Sequence, residues 1–228
     1  MDGPLSHPYY PVDARIVDYT PNGTSILGLI STASVICAVL LGATSLMSIW
    51  ARPDLRKTDR VAILWFVLSG TLHCFFEGYF MINHSRMGSA QDFFGQLWKE
   101  YALSDSRYLT SDTLVLCMET ITVLLWGPLC FGVAYTISSS HSMRHPLQMI
   151  VCVAHLYGDT LYFATSIYDG HVHERPYCRP EPFYFWVYYF GMNFVWIVVP
   201  AIYLYQSMKT ISHAMKKADK ASESRKSE

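Results

Sequence analysis

The stretch Val61–Asn83, VAILWFVLSGTLHCFFEGYFMIN, decides how this chain is read. It is apolar over the roughly 20 residues that a helix needs to cross the hydrocarbon core of a bilayer. Yet it carries His73 and Glu77 in its second half. An ionisable side chain at that depth is costly against lipid, so it faces a protein interior or a wet cavity and is a functional candidate by default. A second apolar run, 112–138, repeats the anomaly with Glu119 in CMETITVLLWGP. Both point to chemistry inside a membrane bundle.

Composition agrees with that reading. Of 228 residues, 51% are hydrophobic and only 15% charged, against about 25% charged in soluble domains. The net charge of −1 gives no reason to expect a nucleic-acid partner or an acidic substrate surface. Five runs have spanning length, at 25–50, 61–83, 112–138, 146–168 and 182–208. The expected architecture is all-α: a polytopic bundle of five transmembrane helices, 25–208, around a cavity that opens within the bilayer. Residues 1–24 form a lumenal N-terminal segment and 209–228 a polar tail. The N-terminus is rich in Pro and Tyr and lacks basic residues, and the first apolar run is too long for a signal core, so it reads as a span.

Five spans place the termini on opposite sides, and basic residues choose the side. Arg52, Arg56, Lys57, Arg60, Arg144 and the lysines from Lys209 onward gather on one face, which puts the C-terminus in the cytoplasm. The tail is expected to be disordered beyond a short helical extension. Its end, RKSE, resembles a dilysine-type retrieval signal and suggests the endoplasmic reticulum membrane. The sequons at Asn22 and Asn83 lie against the membrane boundary, and neither is expected to be glycosylated. Five cysteines fall within spans, where a thiol acts as a small apolar group, and Cys178 has no evident partner.

Helical spacing sorts the polar residues into stripes. His73 and Glu77 are four apart and share a face. Glu119, Thr122 and Trp126 follow the same rule, as do His155 and Asp159, and Asn193, Trp196 and Pro200. Such stripes turn inward and converge. A plainer role fits several of them: a lone Asn or Thr bonds a neighbouring helix, Trp126 or Trp196 packs, Trp98 anchors at the interface, and His155 with Asp159 forms a structural pair between helices. For the glutamates that plainer role is weakest.

Several chemistries lack their signatures. The histidines do not form the clusters of a di-iron oxygenase, and no metal is expected. There is no GxSxG elbow, phosphate loop or dinucleotide fingerprint, so no cofactor is expected either. Acid–base work on an apolar molecule remains. A carboxyl group desolvated among aromatic rings holds its proton to higher pH, and a carboxylate nearby can hold a cation.

LHCFFEGYF, the segment LWKEYALSDSRY at 97–108, CMETITVLLWGP and LYGDTLYF together resemble the emopamil-binding protein family of sterol delta-8 to delta-7 isomerases, within the EXPERA superfamily. The likeness runs from HPYYP near the N-terminus to MNFVW in the fifth span. It implies protonation of a ring-B double bond at carbon 9, a cation at carbon 8 and loss of a proton from carbon 7, without a redox cofactor. It also implies that His73, Glu77 and Glu119 move the proton and stabilise the cation, and that Thr122, Asn193 and Trp196 line the pocket. Tyr108 and Trp126 are expected on the same wall. The segment 97–108 is expected to cap the pocket mouth, with Asp105 anchoring it through a basic neighbour. Expected partners are a sterol, membrane lipid and cationic amphiphilic inhibitors, and a homodimer is compatible with the sequence.

One position departs from the family. Where most relatives carry an amide, this chain has His155, which fits an isomerase of specialised triterpenoid or steroid metabolism as well as one of sterol biosynthesis. A non-catalytic sterol or drug binder is the other reading. A binder needs one carboxylate for an amine, whereas His73, Glu77 and Glu119 together suit an isomerase.

Overall fold

A computed structural model describes residues 7–226, and every regular element among them is helical. Five helices have the length and apolar character to cross a membrane: α1 (Ile26–Ala51), α2 (Lys57–Ser89), α4 (Thr113–Ser138), α5 (Arg144–Val172) and α6 (Tyr184–Lys226). A short helix, α3 (Phe93–Tyr101), lies in the connection between α2 and α4. Each expected span falls within or beside one of these, displaced by a few residues where caps rather than hydropathy set the ends. Ser25 caps α1 by accepting from the Gly28 amide at 3.2 Å. Asp112 does the same for α4 through Val115 at 3.0 Å.

Helices α2 and α4 pack together, as do α5 and α6, and α1 lies along α2. Only Leu29 of α1 is fully buried, and many of its apolar side chains, Leu27, Val35, Val39 and Leu46 among them, are exposed on its outer face. At the basic end, Asp59 of α2 accepts from Arg56 at 2.9 Å and from Arg144, the first residue of α5, at 2.7 Å. That carboxylate ties the α1–α2 hairpin to α5.

Two buried clusters divide the bundle. One is mainly aliphatic and includes Ala62, Ile63, Val133, Ile137 and Val151 beside Phe66 and Tyr203. The other is mainly aromatic and includes Tyr9, Phe80, Trp98, Tyr108, Tyr162 and Tyr189.

Three spans are interrupted by a π-helical turn: Leu72–Glu77, Thr122–Trp126 and Tyr184–Gly191. Such turns shift side-chain direction within an otherwise α-helical rod and occur disproportionately at functional sites. The first two lie against each other. Gly127 makes that approach possible: a Cβ there would meet Cys74 Sγ at 2.5 Å and His73 Cβ at 3.2 Å.

The tail differs from expectation. Helix α6 continues to Lys226, because the residues beyond Met208 include several Lys and Ala, which are good helix formers, and they extend a helix already nucleated. Of the terminal RKSE, Arg225 and Lys226 are helical, and Ser227 and Glu228 lie outside the described residues, as do residues 1–6 of the N-terminal segment. The Asn22 and Asn83 amides are both engaged, donating to the carbonyls of Gln96 at 2.9 Å and Tyr79 at 2.8 Å.

Candidate active site

The first π turn carries His73 and Glu77. His73 Nδ1 is 2.8 Å from both Glu77 oxygens, so the pair expected from the spacing is formed. His73 is buried while Glu77 keeps 17% of its side-chain surface open. That difference makes Glu77 the member that can reach a bound molecule. Across the space, Tyr108 donates its hydroxyl proton to Glu119 Oε1 at 2.9 Å. Burial pushes the Tyr108 phenol well above its ordinary range, so the proton stays on the phenol and the bond to Glu119 is a donation. Glu119 also lies within the electrostatic reach of Glu77 and Asp159.

These groups line one cavity of about 440 Å³, within the roughly 300–1,000 Å³ typical of small-molecule sites. His73, Glu77, Glu119, Thr122, Trp126 and His155 all reach it. So do Tyr108, Asp159, Asn193 and Trp196. Asp105 does not. Thr122 spends its hydroxyl proton on the Met118 carbonyl of its own helix at 2.9 Å. Asn193 is also committed, donating to the Tyr189 carbonyl at 2.7 Å and to the Tyr101 hydroxyl at 3.0 Å. Trp196 lies beside Trp65, with ring centroids 5.4 Å apart.

The connection between α2 and α4 is a roof. Trp98 is 2% exposed, stacks on Phe76 at 4.2 Å and donates from Nε1 to the Phe76 carbonyl at 2.9 Å. It is therefore a buried roof residue and not the interfacial anchor expected from composition, because the segment folds back over the bundle and does not lie at its rim. Tyr101 and Tyr108 follow it into the cavity wall. Asp105 anchors the roof as expected: its Oδ2 pairs with Arg107 at 2.6 Å, and both side chains are almost fully buried. Arg107 also donates to Thr165 Oγ1 at 2.9 Å on α5 and lies over the Tyr162 ring at 4.9 Å. The N-terminal segment closes the outer side. Tyr9 donates to the Lys99 carbonyl at 3.0 Å, and Lys99 Nζ donates to the Thr20 carbonyl at 2.7 Å. Burial lowers the Lys99 ammonium from its usual range.

The fourth-span stripe departs from its expected pairing. His155 bridges helices, but through His73: their Nε2 atoms are 3.0 Å apart, and no hydrogen bond joins His155 to Asp159 among the described residues. Among the cavity residues that escaped the spacing argument are Trp98, Tyr101 and Tyr162. Their signal was local, the aromatic i, i+3 step within WKEY and the Tyr in LYGDTLYF, but only long-range folding turns them inward.

Metal binding was tested on the donor geometry. Cys130, His73 and His155 place their donor atoms within 4.8 Å of one another. Two imidazoles on one tetrahedral zinc would sit roughly 3.3 Å apart, and a thiolate roughly 3.6 Å from each. Here the nitrogens face each other at hydrogen-bond distance and Cys130 Sγ is 4.0 Å from His155. The two imidazoles face each other as hydrogen-bond partners, with the Cys130 thiol beside them.

Residues 93–207 match the EXPERA (EXPanded EBP superfamily) family. The chain is 35% identical to the 3-beta-hydroxysteroid-Delta(8),Delta(7)-isomerase of Cavia porcellus, over 95% of this chain and 93% of the relative. It is 33% identical to a probable isomerase of the same name from Oryza sativa subsp. japonica, over 94% and 96% of the two chains. It is 34% identical to an isomeliandiol synthase of Melia azedarach, over 68% and 71%.

Proposed function

The chain belongs to the EXPERA superfamily, and on that premise we propose that it is a membrane-embedded isomerase that moves a sterol ring-B double bond from the delta-8 to the delta-7 position. The observation that carries this reading is the Glu77–His73 pair opening onto the same cavity as Glu119, whose carboxyl is held by Tyr108. A binder needs no such second acid.

In the proposed reaction, Glu77 delivers a proton to carbon 9. The π electrons of the 8,9 double bond form the new C–H bond and leave a tertiary cation at carbon 8. The carbon 7–hydrogen bond then breaks toward Glu77, and its electrons form the 7,8 double bond. Atoms and charge balance without a redox partner, and general acid–base catalysis of this kind supplies about 10²–10⁴ in rate. Glu119 serves as counter-ion to the cation, with Tyr108 orienting it, and Trp196 offers its π face. The aromatic roof excludes water that would quench the cation.

The wider setting follows from the same reading. The protein is a multi-pass membrane protein, and its basic tally supports a cytoplasmic C-terminus. Residence in the endoplasmic reticulum, lateral entry of the sterol from the bilayer, and inhibition by cationic amphiphiles that imitate the cation complete the proposal. A homodimer fits it too. The deciding experiment adds delta-8 sterols, including oxygenated triterpenoids, to membranes containing the protein in heavy water. Delta-7 product carrying deuterium at carbon 9 is the expected result. Tight binding of the sterol without any product would leave a binder.

A further inference from the structure

His73 cannot itself touch the substrate through a free nitrogen. Its Nδ1 is taken by Glu77 and its Nε2 by His155. The three side chains form a line of two hydrogen bonds, 2.8 Å and 3.0 Å, running from the open carboxyl of Glu77 into the bundle. His155 is 6% exposed, and its Nδ1, the far end of the line, has no protein partner. Cys130 Sγ lies 4.0 Å from its other nitrogen, and Asp159, with Oδ2 also unpartnered, follows one turn along α5.

Two facing imidazole nitrogens 3.0 Å apart must have one donor and one acceptor. With both imidazoles neutral, that requirement leaves two forms in which both bonds of the line are made. In the first, His155 donates its Nε2 proton to His73 Nε2, and His73 donates its Nδ1 proton to the Glu77 carboxylate. In the second, Glu77 carries the proton and donates it to His73 Nδ1, while His73 donates from Nε2 to His155 Nε2, and His155 holds its proton on Nδ1. The forms differ by one proton. His155 Nδ1 is closed to bulk solvent, so the added proton comes from a water admitted through the cavity that His155 lines. Its arrival breaks the His155 Nε2–H bond as His73 Nε2–H forms, and breaks the His73 Nδ1–H bond as the Glu77 O–H forms.

The geometry points to His155 as the positioning residue that sets the tautomer of His73, so that Glu77 starts each turnover as the acid and trades the proton it recovers from carbon 7 for one from solvent. Nothing in the spacing of His73 and Glu77 alone requires this third member. Its role parallels the third group of a catalytic triad, which orients a histidine from behind. An apolar side chain at position 155 would leave the His73 Nε2 proton of the charged form without an acceptor. A glutamine could donate or accept there but carry no proton onward.

The kinetic arm rests on the isomerase reading, and the spectroscopic arm does not. The full chain in lipid nanodiscs, labelled with ¹⁵N-histidine, is compared with H155Q and H155L. In the wild type, the ¹⁵N shifts are expected to show singly protonated rings sharing one proton between the two Nε2 atoms. In both variants the His73 shifts should move to a different tautomer balance. With a delta-8 sterol, kcat should fall about tenfold in H155Q and about a hundredfold in H155L, KM staying within about twofold, and the solvent deuterium effect on kcat should change. Unmoved His73 shifts would overturn the inference, as would equal loss in the two variants with an unaltered isotope effect. One tightly bound metal ion per purified chain would overturn it as well. A wild type that converts no delta-8 sterol would remove the isomerase reading, and the ¹⁵N shifts would still decide the relay.

Discussion

The two buried clusters of this bundle are built on opposite plans. Around Ile63, Val133, Ile137 and Val151 the core is mainly aliphatic, with the ring pair Phe66 and Tyr203 at 5.6 Å. Around Trp98, Tyr108, Tyr162 and Tyr189 it is aromatic, and it borders the cavity. Branched aliphatic side chains interdigitate and fill space, as close-packed interiors do. Large rings meeting edge to face, such as Phe80 on Tyr108 at 5.1 Å, brace one another at wider spacing and carry hydroxyls that can be aimed. One end of the bundle therefore supplies rigidity while the other holds a polar space open.

Substitutions can break that comparison from either side. The largest effects are expected at the acids: Glu77→Gln and Glu119→Gln should each lower kcat by about 10²–10⁴ while leaving thermal unfolding nearly unchanged. A comparable loss of Tm would show that these residues hold the fold instead. Next comes the roof anchor, where Asp105→Asn strands Arg107 among buried rings. Breaking a buried pair costs about 3–5 kcal/mol, read as a lower melting temperature together with lost turnover. In the mainly aliphatic cluster, Ile63→Ala should cost about 2–5 kcal/mol of stability with KM preserved, and a shifted KM would mean the two clusters are mechanically coupled. The smallest is Tyr108→Phe. It removes one hydrogen bond to a carboxylate, worth about 1.5–3 kcal/mol, and should reduce kcat by about 10- to 100-fold and weaken block by a cationic amphiphile.

Much of this was readable from spacing because a membrane punishes misplaced charge. His73, Glu77 and Glu119 could be singled out without any partner in view, since lipid leaves them no other orientation. The same logic brought Asn193, Trp196 and Trp126 to the cavity. It failed where position depends on residues far apart in sequence. Trp98 looks like an interfacial anchor until the connection folds over Phe76. His155 and Asp159 look like a pair until His73, 82 residues earlier, takes the imidazole. The π turns were likewise hidden: the first two meet where Gly127 lets one helix approach the other, and none of the three leaves a distinct periodicity.

The outer fastening of the roof bears on biogenesis. Tyr9 and Lys99 are joined across 90 residues, and Thr20 and Lys99 across 79. A ribosome releases the first of these partners long before the second, with two hydrophobic helices to be inserted between them. Tyr9 and Thr20 therefore stay without their partner until Lys99 is made, and the reaction chamber can be sealed on that side only after α2 and α3 have emerged.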